Sequence, residues 1–429
     1  MNKVKIAILG LGNVGKGVWK ILQKNENEIM KRSGYEIEVA KILVRDKNKG
    51  RDVEVPEGII TDNFEEILND KEIKIVIELM GGAEPSKEYM LRSMKAKKHV
   101  VTANKLVLAN WGEELFKTSQ QENVQFYYEA SVGGGIPIIR EINESLTANR
   151  IKTIIGILNG TTNYILSKMT LEGMSYDKAL KEAQEKGYAE ADPTSDVEGF
   201  DVTYKLAIIS SLAFGMKVHP DLIFREGINN INTIDIEYAK KFGYKIKLLA
   251  IAKEKNNKLE LRVHPALVPN NHPFANVNDS FNAIFIKGNA VGDLMLIGRG
   301  AGDLPTGSAV VGDLISILRN NELLPAANVL NNRLGIKEIK NSDENEPKFY
   351  IRLNIKDTAG VLGQISTIFG ENNISILSVT QDINQEEDVS LVFITYNSME
   401  KDMKDSLKII EQLDSVNKVE SILRIESFN

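Results

Sequence analysis

Val4-Lys5-Ile6-Ala7-Ile8-Leu9-Gly10-Leu11-Gly12-Asn13-Val14-Gly15, near the start of the chain, decides the fold class. A short apolar run bounded by glycine reads as a buried parallel strand. Gly10, Gly12 and Gly15 then follow at the spacing G-x-G-x-x-G, and a helical pattern continues to about Met30. The first glycine makes a tight turn. The second lets backbone approach a pyrophosphate. The third lets the helix pack on the strand, with its N-terminus facing the anion. The hexapeptide alone also fits a structural glycine turn. Its place after a strand and before a helix points to a dinucleotide, with Gly10, Leu11, Gly12, Asn13, Val14 and Gly15 as the binding loop.

The alternation continues. Ile37 to Val44, Ile73 to Leu79, His99 to Thr102 and Val124 to Tyr128 read as further strands with helical stretches between them. This pattern predicts an α/β fold with a Rossmann-type, doubly wound parallel sheet. The second strand ends in Val44-Arg45-Asp46-Lys47. An acidic residue there suits the ribose 2′-hydroxyl of NAD, and an arginine suits a 2′-phosphate. With Arg45 first, NADP(H) is favoured and NAD(H) remains possible. Lys105 follows the strand ending at Thr102, where loops line the ligand crevice. An exposed surface lysine is the bland alternative.

The chain has 429 residues, ample for several cores, with 42% hydrophobic and 26% charged residues. Lys and Arg number 53 against 59 Asp and Glu, a net charge of −6, which argues against a nucleic-acid partner. The absence of cysteine excludes disulfides, thiolate metal sites and cysteine nucleophiles. No apolar run is long enough to span a membrane, and the N-terminal run is punctuated by glycine with no cleavage site after it. A cytoplasmic location with no membrane partner is expected.

The middle of the chain carries the chemistry. In Glu129-Ala130-Ser131-Val132-Gly133-Gly134-Gly135-Ile136-Pro137, a carboxylate precedes unshielded backbone carbonyls. Such oxygens suit a hard cation, and they suit an interdomain hinge equally well. Arg150 to Leu158 is strand-like. Asn159-Gly160-Thr161-Thr162-Asn163 then breaks the chain before a helix that Thr161 or Thr162 could cap. Another helix is expected from about Glu198 to Ala213. Asp201 and Lys205 lie four apart in it and share a face, as an ordinary surface pair would or as a pair facing a cleft. In the cleft, Glu190, Asp196 and Asp201 could hold an ammonium group, and Lys205 could give a proton to a carbonyl oxygen. That arrangement suits an amino acid with an oxidisable side chain. The four histidines lack metal-ligand spacing and read as structural.

Residues 335–347 read as a charged, proline-ended linker. After it, 348–429 gives the order βαββαβ of a ferredoxin-like domain.

Seven segments together are distinctive: GLGNVGKGV, TANKLVLA, EASVGGGIPII, GILNGTTNYIL, KGYAEADPTSDVEGFDVTYKLAI, VHPALVP and GAGDLPTGSAVVGD. The chain resembles a homoserine dehydrogenase with a C-terminal ACT domain. The resemblance implies an NAD(P)-binding domain over 1–130, completed by about 305–330. It implies an α+β substrate and dimerisation domain over 131–304 and an ACT regulatory domain over 348–429. It implies interconversion of L-homoserine and L-aspartate 4-semialdehyde, in threonine and methionine biosynthesis. Lys205 and Lys105 would be the catalytic lysines, and Glu190, Asp196 and Asp201 the substrate carboxylates. Glu129, Val132, Gly134 and Ile136 would bind a monovalent cation, Na⁺ or K⁺. Gly187 and Gly302 would approach the nicotinamide end of the cofactor. Threonine is the first candidate effector, in the turn Asp357 to Leu362, with a ligand-free dimerisation module as the alternative, and the chain should assemble as a homodimer or homotetramer. Truncation after about Leu334 is expected to leave a folded, active enzyme. A dehydrogenase of another amino-acid semialdehyde and a non-catalytic NADP and amino-acid sensor are the alternatives.

Overall fold

A computed structural model describes residues 2–319, 338–383 and 388–428. The described chain divides into two compact units. One holds 2–154, 203–222 and 282–319; the other holds 155–202, 223–281, 338–383 and 388–428.

In the first unit, strands β1 (Asn2–Leu9), β2 (Tyr35–Leu43), β3 (Ile60–Thr61), β4 (Ile73–Glu78), β5 (His99–Thr102) and β6 (Phe126–Tyr127) form one sheet. Its order is β3-β2-β1-β4-β5-β6, parallel throughout. Side-chain alternation splits β1 between two cores. Ile6 and Ile8 pack with Val18, Trp19, Val310 and Leu314. Ala7 and Leu9 pack with Phe64, Ile67 and Val76. Apolar cover on both faces makes β1 a continuous apolar run, and it is what doubly wound means physically. The expected strands and the fold class are present. The short β3 was not foreseen, and the first helix is two, Asn13–Lys24 and Glu26–Ser33.

Helix Asp303–Arg319 lies against helix Asn13–Lys24 so closely that Gly17 and Gly307 have no room for a side chain. A Cβ on Gly17 would stand 1.9 Å from the Asp303 carbonyl oxygen, and one on Gly307 would stand 2.9 Å from the Gly17 backbone. Residues 320–330, expected to complete this domain, lie outside the described residues.

In the second unit, Tyr244–Lys255 and Lys258–Pro269 form a long antiparallel hairpin. Its two-residue turn, Asn256-Asn257, has positive φ at both positions (55° and 62°), a conformation asparagine tolerates and tight hairpins need. The C-terminal sheet takes strand Lys348–Lys356 between Val416–Ile425 and Asp388–Thr395, with Ile376–Ile383 beyond the latter. Helices Val361–Glu371 and Glu400–Ile410 supply Ile365, Phe369, Met403 and Leu407 to its core. This is the ferredoxin-like order.

That sheet continues into the hairpin. Ala266 and Leu267 pair in parallel with Arg424 and Ile425. Buried charges reinforce the junction. Asp235, fully buried, accepts from Arg352 Nε at 2.9 Å and from the Tyr350 hydroxyl at 3.0 Å. Arg424 pairs with Glu226 and Glu400, and Arg262 with Glu426 at 2.9 Å. Of the expected linker, 335–337 lie outside the described residues, and Glu338–Ile339 pairs with Lys258 and Leu259. Among the described residues, no helix is long and apolar enough to cross a membrane.

Candidate active site

The glycine loop behaves as its spacing requires. Gly10 has φ 99°, and a Cβ there would meet the Leu79 carbonyl oxygen at 2.8 Å. A Cβ on Gly15 would stand 2.2 Å from the Gly10 carbonyl oxygen. Gly12 instead faces open space, the surface a pyrophosphate would approach. Leu11 is buried, Asn13 exposed, and Val14 lies in the first turn of helix Asn13–Lys24. At the end of β2, Asp46 turns its carboxylate to its own loop, accepting from the Asn48 N–H at 2.8 Å. Arg45 stands exposed beside it.

Lys105 opens helix Lys105–Glu122 and is half-buried. A side-chain chain fixes that helix start. Fully buried Glu78, at the end of β4, accepts from the Thr102 hydroxyl at 2.7 Å and from the Met80 N–H at 2.8 Å. Thr102 Oγ1 accepts the Asn104 N–H at 3.0 Å. Asn104 caps the helix through Val107 N–H at 3.2 Å and donates to the Gly82 carbonyl at 2.8 Å. Burial pushes the Glu78 carboxyl above its ordinary range.

Glu129 is buried, and its two carboxylate oxygens accept the Ile139 and Arg140 N–H groups, each at 2.8 Å. Its own N–H donates to Asp313 Oδ2 at 2.8 Å. Asp313, 1% exposed, also accepts from Arg140 at 3.2 Å. Burial pushes Glu129 up to about 7, and burial followed by Glu129 raises Asp313. Gly133 and Gly134 follow with positive φ (73° and 54°), and a Cβ on Gly134 would clash with Gly300 at 2.5 Å. Val132 and Ile136 are buried on either side. The Arg140 guanidinium bonds Asp313, while Glu129 takes the Arg140 backbone N–H, so two buried carboxylates lie by one partly exposed cation, and Glu129 with the loop's carbonyl oxygens has the oxygen chemistry that suits a hard cation. Among the described residues, no group of three or more His, Asp or Glu side chains could hold a metal.

Asn159 caps helix Gly160–Glu172 by accepting the Thr162 N–H at 2.8 Å. The cap expected at Thr161 or Thr162 falls on this asparagine. Asn159 has the right side chain for it, and the two threonines already lie in the first helical turn. Its amide nitrogen then donates to Asp196 Oδ1 at 2.7 Å and to Asp201 Oδ2 at 2.9 Å, bringing two expected substrate carboxylates onto one group. Asp201 lies in the first turn of helix Phe200–Phe214. Lys205, one turn later, is 8% exposed. Thr161 donates to the Tyr188 carbonyl at 2.6 Å, which places the turn that carries Gly187 (φ 74°) and Glu190. Glu190 is exposed there. Gly302 (φ 122°), also exposed, precedes helix Asp303–Arg319.

Glu78, Asn104, Asn159 and Asp313 were not anticipated as parts of these sites. The asparagines stand at helix starts, where capping preference could have found them. Glu78 and Asp313 gave no local signal.

Residues 10–129 match the family model described as the NAD-binding domain of homoserine dehydrogenase, and 137–315 match the homoserine dehydrogenase model. Residues 349–415 match the ACT domain. The homoserine dehydrogenase of Bacillus subtilis is 38% identical over 99% of both chains, and that of Synechocystis 41% identical over 99% of this chain and all of its own. The chain belongs to the homoserine dehydrogenase family. A solved homoserine dehydrogenase from Thiobacillus denitrificans superposes with a TM-score of 0.94 at 40% identity, covering 100% of this chain and 99% of its own. The homoserine dehydrogenase model spans Asn159, Asp196, Asp201 and Lys205, and the NAD-binding model spans the glycine loop, Arg45, Lys105 and Glu129.

Proposed function

We propose that the chain interconverts L-homoserine and L-aspartate 4-semialdehyde with a nicotinamide cofactor, a step toward threonine and methionine. The observation that carries the reading in this chain is the pair Asp196 and Asp201 on the Asn159 amide, with Asp201 one helical turn before a buried lysine. The aspartates, with Glu190, hold the substrate ammonium. Lys205 exchanges the proton of the substrate oxygen, giving it as the carbonyl is reduced and taking it as the alcohol is oxidised, with Lys105 as partner acid or base. A nicotinamide bound at the glycine loop would supply the hydride chemistry at the substrate carbon. The glycine loop, Gly187 and Gly302 supply close backbone approach to the cofactor. A sensor without chemistry would have no need of a lysine kept nearly dry one helical turn after an aspartate.

NADP(H) is the preferred cofactor in this reading, supported by an exposed Arg45 whose neighbour Asp46 is occupied with its own turn. Glu129 and the backbone oxygens of the loop to Ile136 would hold a sodium or potassium ion, whose charge would offset the buried carboxylates. Threonine binds at the ACT turn near Gly360, whose φ is 93°. Strand Ile376–Ile383 edges the C-terminal sheet with Leu377 and Val379 exposed, which suits pairing between copies in a homodimer or homotetramer. A cytoplasmic location accords with a chain free of cysteine. The test follows reduced-nicotinamide absorbance with homoserine and each cofactor. Turnover with neither would reject the reading, and turnover with NAD alone would reject the cofactor preference.

A further inference from the structure

Lys247 lies within strand Tyr244–Lys255 and is only 2% exposed. Its ammonium donates to Asn163 Oδ1 at 3.0 Å, to the Val277 carbonyl at 2.6 Å and, more weakly, to Asn278 Oδ1 at 3.5 Å. All three acceptors are neutral. A buried charge satisfied only by neutral groups is expensive, because desolvation is not offset by a counter-charge. Burial accordingly pushes this lysine down to about 7, Lys245 adding to the fall and Asp279 opposing it. Leucine or methionine would fill the same space at lower cost, so the ammonium must secure something.

What it secures is the loop 277–281. Asn163, held by Lys247, donates its amide to the carbonyls of Val277, Asp279 and Phe281 at 3.1, 3.0 and 3.1 Å. Ser167 accepts the Asp279 N–H at 3.1 Å. The loop therefore lies along the first turns of helix Gly160–Glu172. At its tip the contact is backbone to backbone, since a Cβ on Gly160 would stand 2.9 Å from the Ser280 carbonyl oxygen. The residue before Gly160 is Asn159, whose amide holds Asp196 and Asp201.

We propose that Lys247 is a positioning residue for substrate binding: it clamps loop 277–281 against the start of helix Gly160–Glu172 and so fixes Asn159 and the two aspartates. This rests on the reading that Asp196 and Asp201 hold the substrate ammonium. Lys247 itself touches no substrate. Its effect passes through Asn163, the loop and Asn159.

The test is steady-state kinetics on the full chain, with homoserine varied at saturating cofactor and cofactor varied at saturating homoserine. The variants are Lys247→Met, Lys247→Gln, Asn159→Ala, Asp201→Asn and the double variant Lys247→Met/Asn159→Ala. Asp201→Asn and Asn159→Ala are expected to raise the homoserine KM by about tenfold or more, as loss of a hydrogen bond to a charged group does. Lys247→Met raises it by a similar factor and leaves the cofactor KM within about twofold, because the clamp serves the substrate pocket alone. Lys247→Gln keeps two N–H donors and falls between Lys247→Met and the wild type. It also carries the test if Lys247→Met does not fold. The double variant is no worse than Asn159→Ala alone, because both changes act on one path. A homoserine KM at the wild-type value in both Lys247 variants would overturn the proposal, as would single effects that multiply in the double variant. If Asp201→Asn and Asn159→Ala leave the homoserine KM unmoved, the assignment of the aspartates has failed instead.

Discussion

The backbone N–H of Glu129 donates to the carboxylate of Asp313 at 2.8 Å, so two buried acids 184 positions apart in sequence share one small volume. Glu129, pushed up to about 7 by burial, keeps its proton in the folded chain at pH values where the unfolded chain has lost it. The folded state thus binds more protons between the ordinary carboxylate range and about 7, and stability falls as pH rises through that window. Asp313 shifts in the same direction. With only a bulky organic cation present, the melting temperature should drop by several degrees between pH 5 and pH 8. Sodium or potassium should restore it at pH 8 and matter little at pH 5. Glu129→Gln should flatten the pH dependence and remove the response to the ion. Calorimetry that finds no ion effect at pH 8 would remove the cation from the loop.

Lys205→Met keeps the apolar stem and loses the ammonium. Turnover should fall by about two to four decades, the usual contribution of a positioned acid or base. Cofactor binding, followed by fluorescence titration, should be kept. Turnover close to wild type would show that the proton travels elsewhere.

Arg45→Ala should weaken NADPH binding by on the order of tenfold or more, the loss of a charge-assisted hydrogen bond, and leave NADH nearly unchanged. Titrations with both cofactors decide it, and equal losses would make Arg45 a bystander.

Removing the ACT domain is not the neutral operation that domain order suggests. It strips the partner strand from Ala266 and Leu267, the counter-charges from Asp235 and Glu226, and one of two from Arg262, which keeps Glu260. The truncated chain should melt well below the full one and aggregate, which a thermal scan would show. A truncated chain as stable as the full one would mean that this junction contributes nothing.

Gly360→Asp is the cleaner probe of regulation. Gly360 has φ 93°, and a Cβ there meets nothing within 4 Å, so the substitution puts bulk and charge into open space above the turn. The left-handed backbone adds about 1–2 kcal/mol of strain. The variant should keep its turnover and lose inhibition by threonine. Inhibition that persists unchanged would move the effector away from this turn.

The amino-acid sequence by itself determined the parallel sheet, its glycine loop, the βαββαβ order of the C-terminal domain, and which lysines and carboxylates to watch. Those features are local: a strand, a turn and a helix start are set by neighbours within a few residues, and their periodicity is written in the chain. Tertiary structure decided the pairings. Gly17 looks like one more small residue until Asp303 and Gly307 are packed on it. Asp313 sits in a helix whose pattern shows only burial, and nothing in it points to Glu129. Lys247 reads as an ordinary strand lysine until folding closes Asn163 and Val277 over it. Asn159 is visible as a helix cap, but not as the group that joins Asp196 to Asp201, because those partners arrive 37 and 42 residues later. A sequence pattern records which face of an element is dry. It does not record which distant group will occupy that face, and buried polar groups are settled only when their partners are in place.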